Sequence, residues 1–240
     1  MPAGPRYSPN SPQIGRPAQS LLARPSHFLW DPSTGNNGAS ATVNITQMLM
    51  SGTSAAVTLA DSTGYGPAFT CTSSSTNALT LQANGEPFKV TANTGIHFQA
   101  HVALTDADGM SFFAGLAITD TTPWATSLTD YIGFFAVNQY ALQIGAGMNN
   151  DAVPGSGTTG ETDQAADTTV TASTMVDATF VQLDFITHGT TKVVYYINGQ
   201  NVGTITANLP TDEDLTPTLA FVGSGEVVTC KLMSCVGDRP

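Results

Sequence analysis

The chain has 240 residues, enough for one large all-β domain or two small ones, and for a core that needs no covalent staples. Only 10% of residues are charged, and the net charge of −11 argues against nucleic-acid binding, since phosphate contacts need Lys and Arg. No apolar run approaches the ~20 residues that cross a bilayer as a helix, and the start "MPAGPRYSPNSPQIGRP" lacks the apolar stretch of a secretory signal.

Seven of the fourteen prolines fall between Pro2 and Pro32. Proline fixes φ and donates no hydrogen bond, so this stretch can form neither a long helix nor a central strand. An extended arm is predicted over residues 1–40, with a β-sandwich domain over residues 41–240. Arg6, Arg16 and Arg24 precede the first acid, Asp31, so the first 30 residues carry +3 and the remainder −14. Tyr7, Leu21, Leu22, Phe28, Leu29 and Trp30 make the arm too apolar for a tail that only solvates. These nine residues are the predicted partner-binding set. The arm would become ordered on a neighbouring subunit or another protein, its arginines on an acidic surface; the bland alternative is a disordered tail.

From Thr42 onward, alternation with period 2 dominates. Thirteen strands are predicted, at 41–47, 55–60, 77–82, 87–92, 96–105, 110–119, 130–137, 140–146, 178–187, 192–198, 200–206, 217–222 and 227–234. Strands this short, separated by turn residues, predict an all-β fold of two antiparallel sheets packed as a sandwich. "VVYYINGQNVGTIT" (193–206) is the strongest local feature. Asn198-Gly199 supplies the positive φ of a tight turn, with Val194 and Tyr196 on one face and Val193, Tyr195 and Ile197 on the other. Met148 to Thr169 lacks apolar periodicity and reads as a long surface loop.

Three cysteines, Cys71, Cys230 and Cys235, read as buried free thiols. Cys230 and Cys235 are five apart, so an unbroken strand would point them to opposite faces. "DADG" (106–109) starts like a calcium loop, but the glutamate that would complete it is missing, and Asp106 and Asp108 also suit a plain turn. His97 and His101 would share a metal on a helix; on a strand they lie ~13 Å apart, and they belong to a solvated or inter-subunit face. Glu161, Asp163 and Asp167 lie in a loop, and "TDEDL" (211–215) is turn-like. No nucleophile elbow and no phosphate-binding loop is present. No catalytic residue, metal or cofactor is predicted.

The order "IHFQAHVALTDADGMSFFAGLAITDTT", "YIGFFAVNQYALQIGA", "TFVQLDFITHGTTKVVYYINGQNVGTI", "LTPTLAFVGSG" resembles the concanavalin A-like, laminin-G-like jelly roll over residues 86–235. Similar sequences occur among structural proteins of tailed bacteriophages. The related glucanases carry Glu-x-Asp-x-Glu on a strand, and this chain has no such segment. The resemblance implies a non-enzymatic virion structural protein. The expectation is a trimeric decoration or cement protein on the capsid exterior, assembled in the host cytoplasm, with its arm on the major capsid protein or on neighbouring copies. Free thiols agree with such a reducing compartment. A tail, fibre or neck component is one alternative. A carbohydrate-binding module for host-surface glycans is another, with Trp124, Tyr131 and Tyr140 as exposed stacking platforms. No nucleic-acid or membrane partner is expected.

Overall fold

The computed structural model describes residues 27–30, 48–51, 57–61, 67–72, 79–83, 85–107, 110–119, 130–137, 141–147, 170–223 and 227–237. Its strands are β1 (His27–Trp30), β2 (Met48–Ser51), β3 (Val57–Asp61), β4 (Pro67–Thr72), β5 (Leu79–Ala83), β6 (Phe88–Lys89), β7 (Ile96–Leu104) and β8 (Met110–Ala117). They continue with β9 (Tyr131–Val137), β10 (Ala141–Gly147), β11 (Val170–Thr174), β12 (Val181–His188), β13 (Lys192–Ile197), β14 (Gln200–Ile205), β15 (Asp214–Gly223) and β16 (Val227–Gly237). No helix occurs among the described residues.

Two antiparallel sheets form the sandwich. Sheet A runs β14, β13, β12, β7, β16, β4, β3, and sheet B runs β11, β10, β9, β8, β15, β5, β2. The long strands β16 and β15 each have one flank divided between two short strands. On β16, Val227–Cys230 pairs with β4 and Met233–Val236 with β1. On β15, Asp214 and Leu215 pair with β6, and Thr218–Phe221 with β5. Pro217 falls in the gap between β6 and β5, where its missing N–H costs no ladder bond on that flank.

The core between the sheets follows from alternation. Phe98, Ala100 and Val102 of β7 and Leu183 and Phe185 of β12 meet Phe112, Ala114, Leu116, Ile132 and Phe134 of sheet B. Phe98 stacks on its register partner Phe185 at 5.1 Å between centroids. Tyr195 crosses the layers: its ring meets Phe134 edge-on at 5.3 Å, and its hydroxyl donates to the Gly145 carbonyl at 2.8 Å. The hairpin β13–β14 turns on Asn198 (φ 51°) and Gly199 (φ 78°), as predicted, with Ile197 opposite Gln200. Asn198 is also tied to β12, since its amide donates to the Gln182 carbonyl at 2.8 Å and its Oδ1 accepts from the Gln182 amide at 2.9 Å.

The outer face of sheet B departs from a simple polar exterior. Phe113, Ala117, Tyr131, Phe135 and Ala220 form a second, fully buried apolar cluster there. Gly115, Gly133 and Gly145 stand in register across β8, β9 and β10. A Cβ at Gly133 would lie 2.8 Å from the Phe113 ring, and one at Gly145 would lie 2.7 Å from the Phe135 ring. The glycines therefore let these rings lie close against the sheet.

Several expectations are corrected. His27–Trp30 was assigned to an arm ending at residue 40, but it forms β1 and pairs with β16 of the same chain, Phe28 opposite Cys235, Leu29 opposite Ser234 and Trp30 opposite Met233. A strand on the flank of β16 tolerates flanking prolines such as Pro25 and Pro32, so proline density did not reveal it. Strands β2, β4 and β11 were not predicted, and the predicted strand 41–47 lies outside the described residues. Cys230 and Cys235 both face the core, because a register shift between Cys230 and Leu232 inserts Lys231 as an extra residue and resets the alternation.

Candidate functional site

The outer face of sheet A is the surface that carries chemistry. With Phe98, Ala100 and Val102 in the core, His97, Gln99 and His101 point outward from β7. With Leu183 and Phe185 inward, Gln182, Asp184 and Ile186 point outward from β12. Register then builds a row across four strands: Tyr196, Asp184, Gln99 and Ser234. On either side lie Gln182 with His101, and Ile186 with His97. Cross-strand neighbours on one face are close enough for side chains to interact.

Asp184 is the centre of this row. Only 7% of it is exposed. Its Oδ2 accepts from Gln182 Nε2 at 2.8 Å, and its Oδ1 lies 3.6 Å from Nε2 of the half-exposed His97. A nearly buried carboxylate is retained only where such donors hold it. Ser234, opposite Gln99, is diagonal to His97, so the face places Ser, His and Asp near one another.

The second feature is at the β16 bulge. Lys231 Nζ lies 3.7 Å from the centroid of the half-buried Phe180 ring. His101 meets the same ring at 5.1 Å between centroids. Burial holds the His101 imidazole below its ordinary value; Lys231 adds to this, and Asp184 opposes it. Partial desolvation holds Lys231 below the usual lysine range. Lysine over an aromatic face is a favourable pairing. The bulge aims Lys231 at Phe180, and only the register of β16 reveals it.

The predicted site residues are not brought together. Arg6, Tyr7, Arg16, Leu21, Leu22 and Arg24 lie outside the described residues, as do Trp124, Tyr140, Asp108, Glu161, Asp163 and Asp167. Phe28, Leu29 and Trp30 are in β1. Tyr131 is corrected as an exposed stacking platform: it is fully buried, edge-on to Phe113 at 6.0 Å and to Phe135 at 6.4 Å. Asp106 is half-buried in the turn after β7, and no group of three or more metal-ligating side chains occurs among the described residues. No described helix is long and apolar enough to cross a membrane. Sequence reasoning missed Asp184 and Gln182. The polar positions of "VQLDFITH" gave the only hint, and their neighbours on β7 emerge only from strand pairing.

No protein-family profile matches the chain, and no curated protein does. Solved structures do. The potassium-bound carbohydrate recognition domain of Emp46p is 8% identical, with a TM-score of 0.56 over 83% of this chain and 93% of that one. A carbohydrate esterase of the Shiga toxin-encoding bacteriophage phi24B is 13% identical, with a TM-score of 0.55 over 88% and 98%. An endo-1,3-β-glucanase of Streptomyces sioyaensis is 10% identical, with a TM-score of 0.55 over 89% and 96%. Botulinum neurotoxin type C, in a structure concerned with its ganglioside-dependent cell entry, gives a TM-score of 0.50 at 9% identity; this chain spans 44% of that one. At such identities the likeness is one of fold, and the fold is a concanavalin-like jelly-roll sandwich.

Proposed function

We propose that this domain is a carbohydrate-binding module and that the outer face of sheet A is its binding surface. The observation that carries the reading is Asp184, a nearly buried carboxylate fixed by Gln182 beside His97, in the middle of a band that includes Gln99, His101 and Ser234. Sugar hydroxyls are both donors and acceptors, and planar amide, imidazole and carboxylate groups match them. Tyr196 and Phe180, each partly exposed, flank the band with ring surface for the apolar face of a sugar. Among the fold's neighbours, the Emp46p domain recognises carbohydrate, the phage protein is a carbohydrate esterase, and the neurotoxin structure concerns gangliosides. These support the reading by analogy of fold.

The test is a glycan array with the full chain and two variants, Asp184→Asn and Gln99→Ala. Asp184→Asn keeps the shape and removes the charge, and should weaken binding about tenfold or more. Glycans held equally by all three proteins, or by none, would rule out this face.

A virion setting is the second reading, favoured by the basic, proline-rich stretch ahead of an acidic sandwich. Residues 1–26, with Arg6, Tyr7, Arg16, Leu21, Leu22 and Arg24, would attach the module to the major capsid protein or to a tail subunit, as a trimer on the virion exterior. Deleting residues 1–26 spares β1 and should leave a folded domain that no longer binds shells. Full decoration by the truncated protein would refute the attachment.

A further inference from the structure

Strand register orders the outward residues of sheet A into rows. Asn201 of β14 is opposite Tyr196 of β13, and Tyr196 is opposite Asp184 of β12. Asp184 is opposite Gln99 of β7, and Gln99 is opposite Ser234 of β16. Five adjacent strands thus contribute one polar side chain each to a single row. Neighbouring strands lie about 4.8 Å apart, so the row is about 19 Å long. Asn201 is exposed, and Tyr196, Gln99 and Ser234 are half-buried. Asp184 forms the floor at the middle, its Oδ2 held by Gln182 Nε2. The next outward row places Val194, Ile186 and Val236 on β13, β12 and β16, with His97 between the last two. His97 turns its Nε2 toward Asp184, at 3.6 Å, and so joins the polar row. A polar stripe and a largely apolar stripe therefore run side by side across the strands.

We infer that the ligand of this face is an extended, linear saccharide lying across the strands, with consecutive sugar units meeting successive strands. The inference rests on the carbohydrate-binding reading above and names the class of ligand. A site for one small terminal sugar converges its few polar groups on a point. The polar groups of this face are spread along a line whose pitch is the strand spacing. A linear sugar chain offers the matching pattern: hydroxyls along its edges and apolar C–H faces, repeated unit after unit. Hydroxyls donate and accept, so the amides of Asn201 and Gln99, the Asp184 carboxylate and the Ser234 hydroxyl each have a partner on such a chain. Val194, Ile186 and Val236 supply apolar surface alongside.

The experiment measures affinity of the full chain for laminari-, cello-, malto- and chito-oligosaccharides, each from monosaccharide to hexasaccharide, with sialyllactose as the terminal-sugar probe. In at least one series, affinity should rise about tenfold or more between disaccharide and tetrasaccharide, and level off once the row is spanned. Asn201→Ala and Ser234→Ala alter the two ends of the row. Each should lower hexasaccharide affinity about three- to tenfold and shorten the length at which affinity levels off. Should either variant fail to fold, the length series on the unaltered chain still decides. Affinity independent of length, or binding confined to sialyllactose, would overturn the inference and leave the carbohydrate-binding reading standing. Binding of no saccharide, in the series or on the array, would overturn both.

Discussion

Cys230 and Cys235, five residues apart on β16, both face the core between the sheets. Lys231, the extra residue of the bulge, makes this possible. Burial pushes the Cys230 thiol up to about 12, against small lowering by backbone hydrogen bonds, and raises Cys235 well above its usual value. A thiol reacts as its thiolate, so neither should alkylate in the folded protein at about pH 8. Mass spectrometry after iodoacetamide should find both labelled only once denaturant is added. Labelling of either in buffer would show that β16 is not packed this way.

Deleting Lys231 tests the bulge itself. Without it, Leu232 follows Cys230 directly and keeps its place opposite His101, so Met233 and Cys235 stay inward on an unbroken strand. The deletion should therefore preserve cooperative unfolding by circular dichroism, and loss of the cooperative transition would show that Lys231 is not simply an extra residue.

Tyr195 links the hairpin to sheet B through its hydroxyl on the Gly145 carbonyl. Tyr195→Phe keeps the ring against Phe134 and removes the donor. The buried carbonyl loses that partner, at a cost of about 1–3 kcal/mol. A shift in the urea midpoint with unchanged slope is the expected readout.

Gly133 lies under the Phe113 ring, and a Cβ there would also stand 2.6 Å from the Ala114 carbonyl oxygen. Gly133→Ala should destabilise by about 1–3 kcal/mol, as overpacking does. Gly85→Ala is the contrast: nothing lies within 4 Å of its Cβ, so only its φ of 80° opposes the change. The clash predicts the larger fall in melting temperature for Gly133.

His101 gives a pH dependence with a defined sign. Its folded value is held below the ordinary 6.5 by burial and Lys231, with Asp184 opposing. Below 6.5 the unfolded chain therefore takes up a proton that the folded chain resists. Its contribution is complete above that value and declines as the pH falls, until the lowered folded value has been passed. Urea midpoints measured across this range should drop with acidity, and His101→Gln should flatten the drop.

The strands were readable where one face meets the core and the other meets water. "IHFQAHVALT" alternates, and β7 follows it almost residue for residue. "SFFAGLA" and "YIGFFAV" instead contain apolar residues on both faces, which gave the strands but hid the second cluster, so Tyr131 was taken for a surface ring. Prolines around "HFLW" concealed β1, because a strand that completes the flank of β16 depends on a partner some 200 residues away in sequence. The proposed binding face was hidden for the same physical reason. Gln182, Asp184, His97 and Gln99 are unremarkable in order along the chain and become a unit only through antiparallel register.

The closed outer face of sheet B has a further consequence. Phe113, Tyr131 and Phe135 are buried on that side, and exposed charge occurs at its margin, where Asp214 of β15 pairs with Lys89 of β6 at 3.5 Å. The sandwich is therefore directional. Any assembly that presents several copies with sheet A outward would turn weak single contacts into avidity, which can exceed the affinity of one site by about 10²–10⁴. On the carbohydrate-binding reading proposed above, a face of weak affinity then suffices for firm attachment, and stays reversible whenever copies act alone.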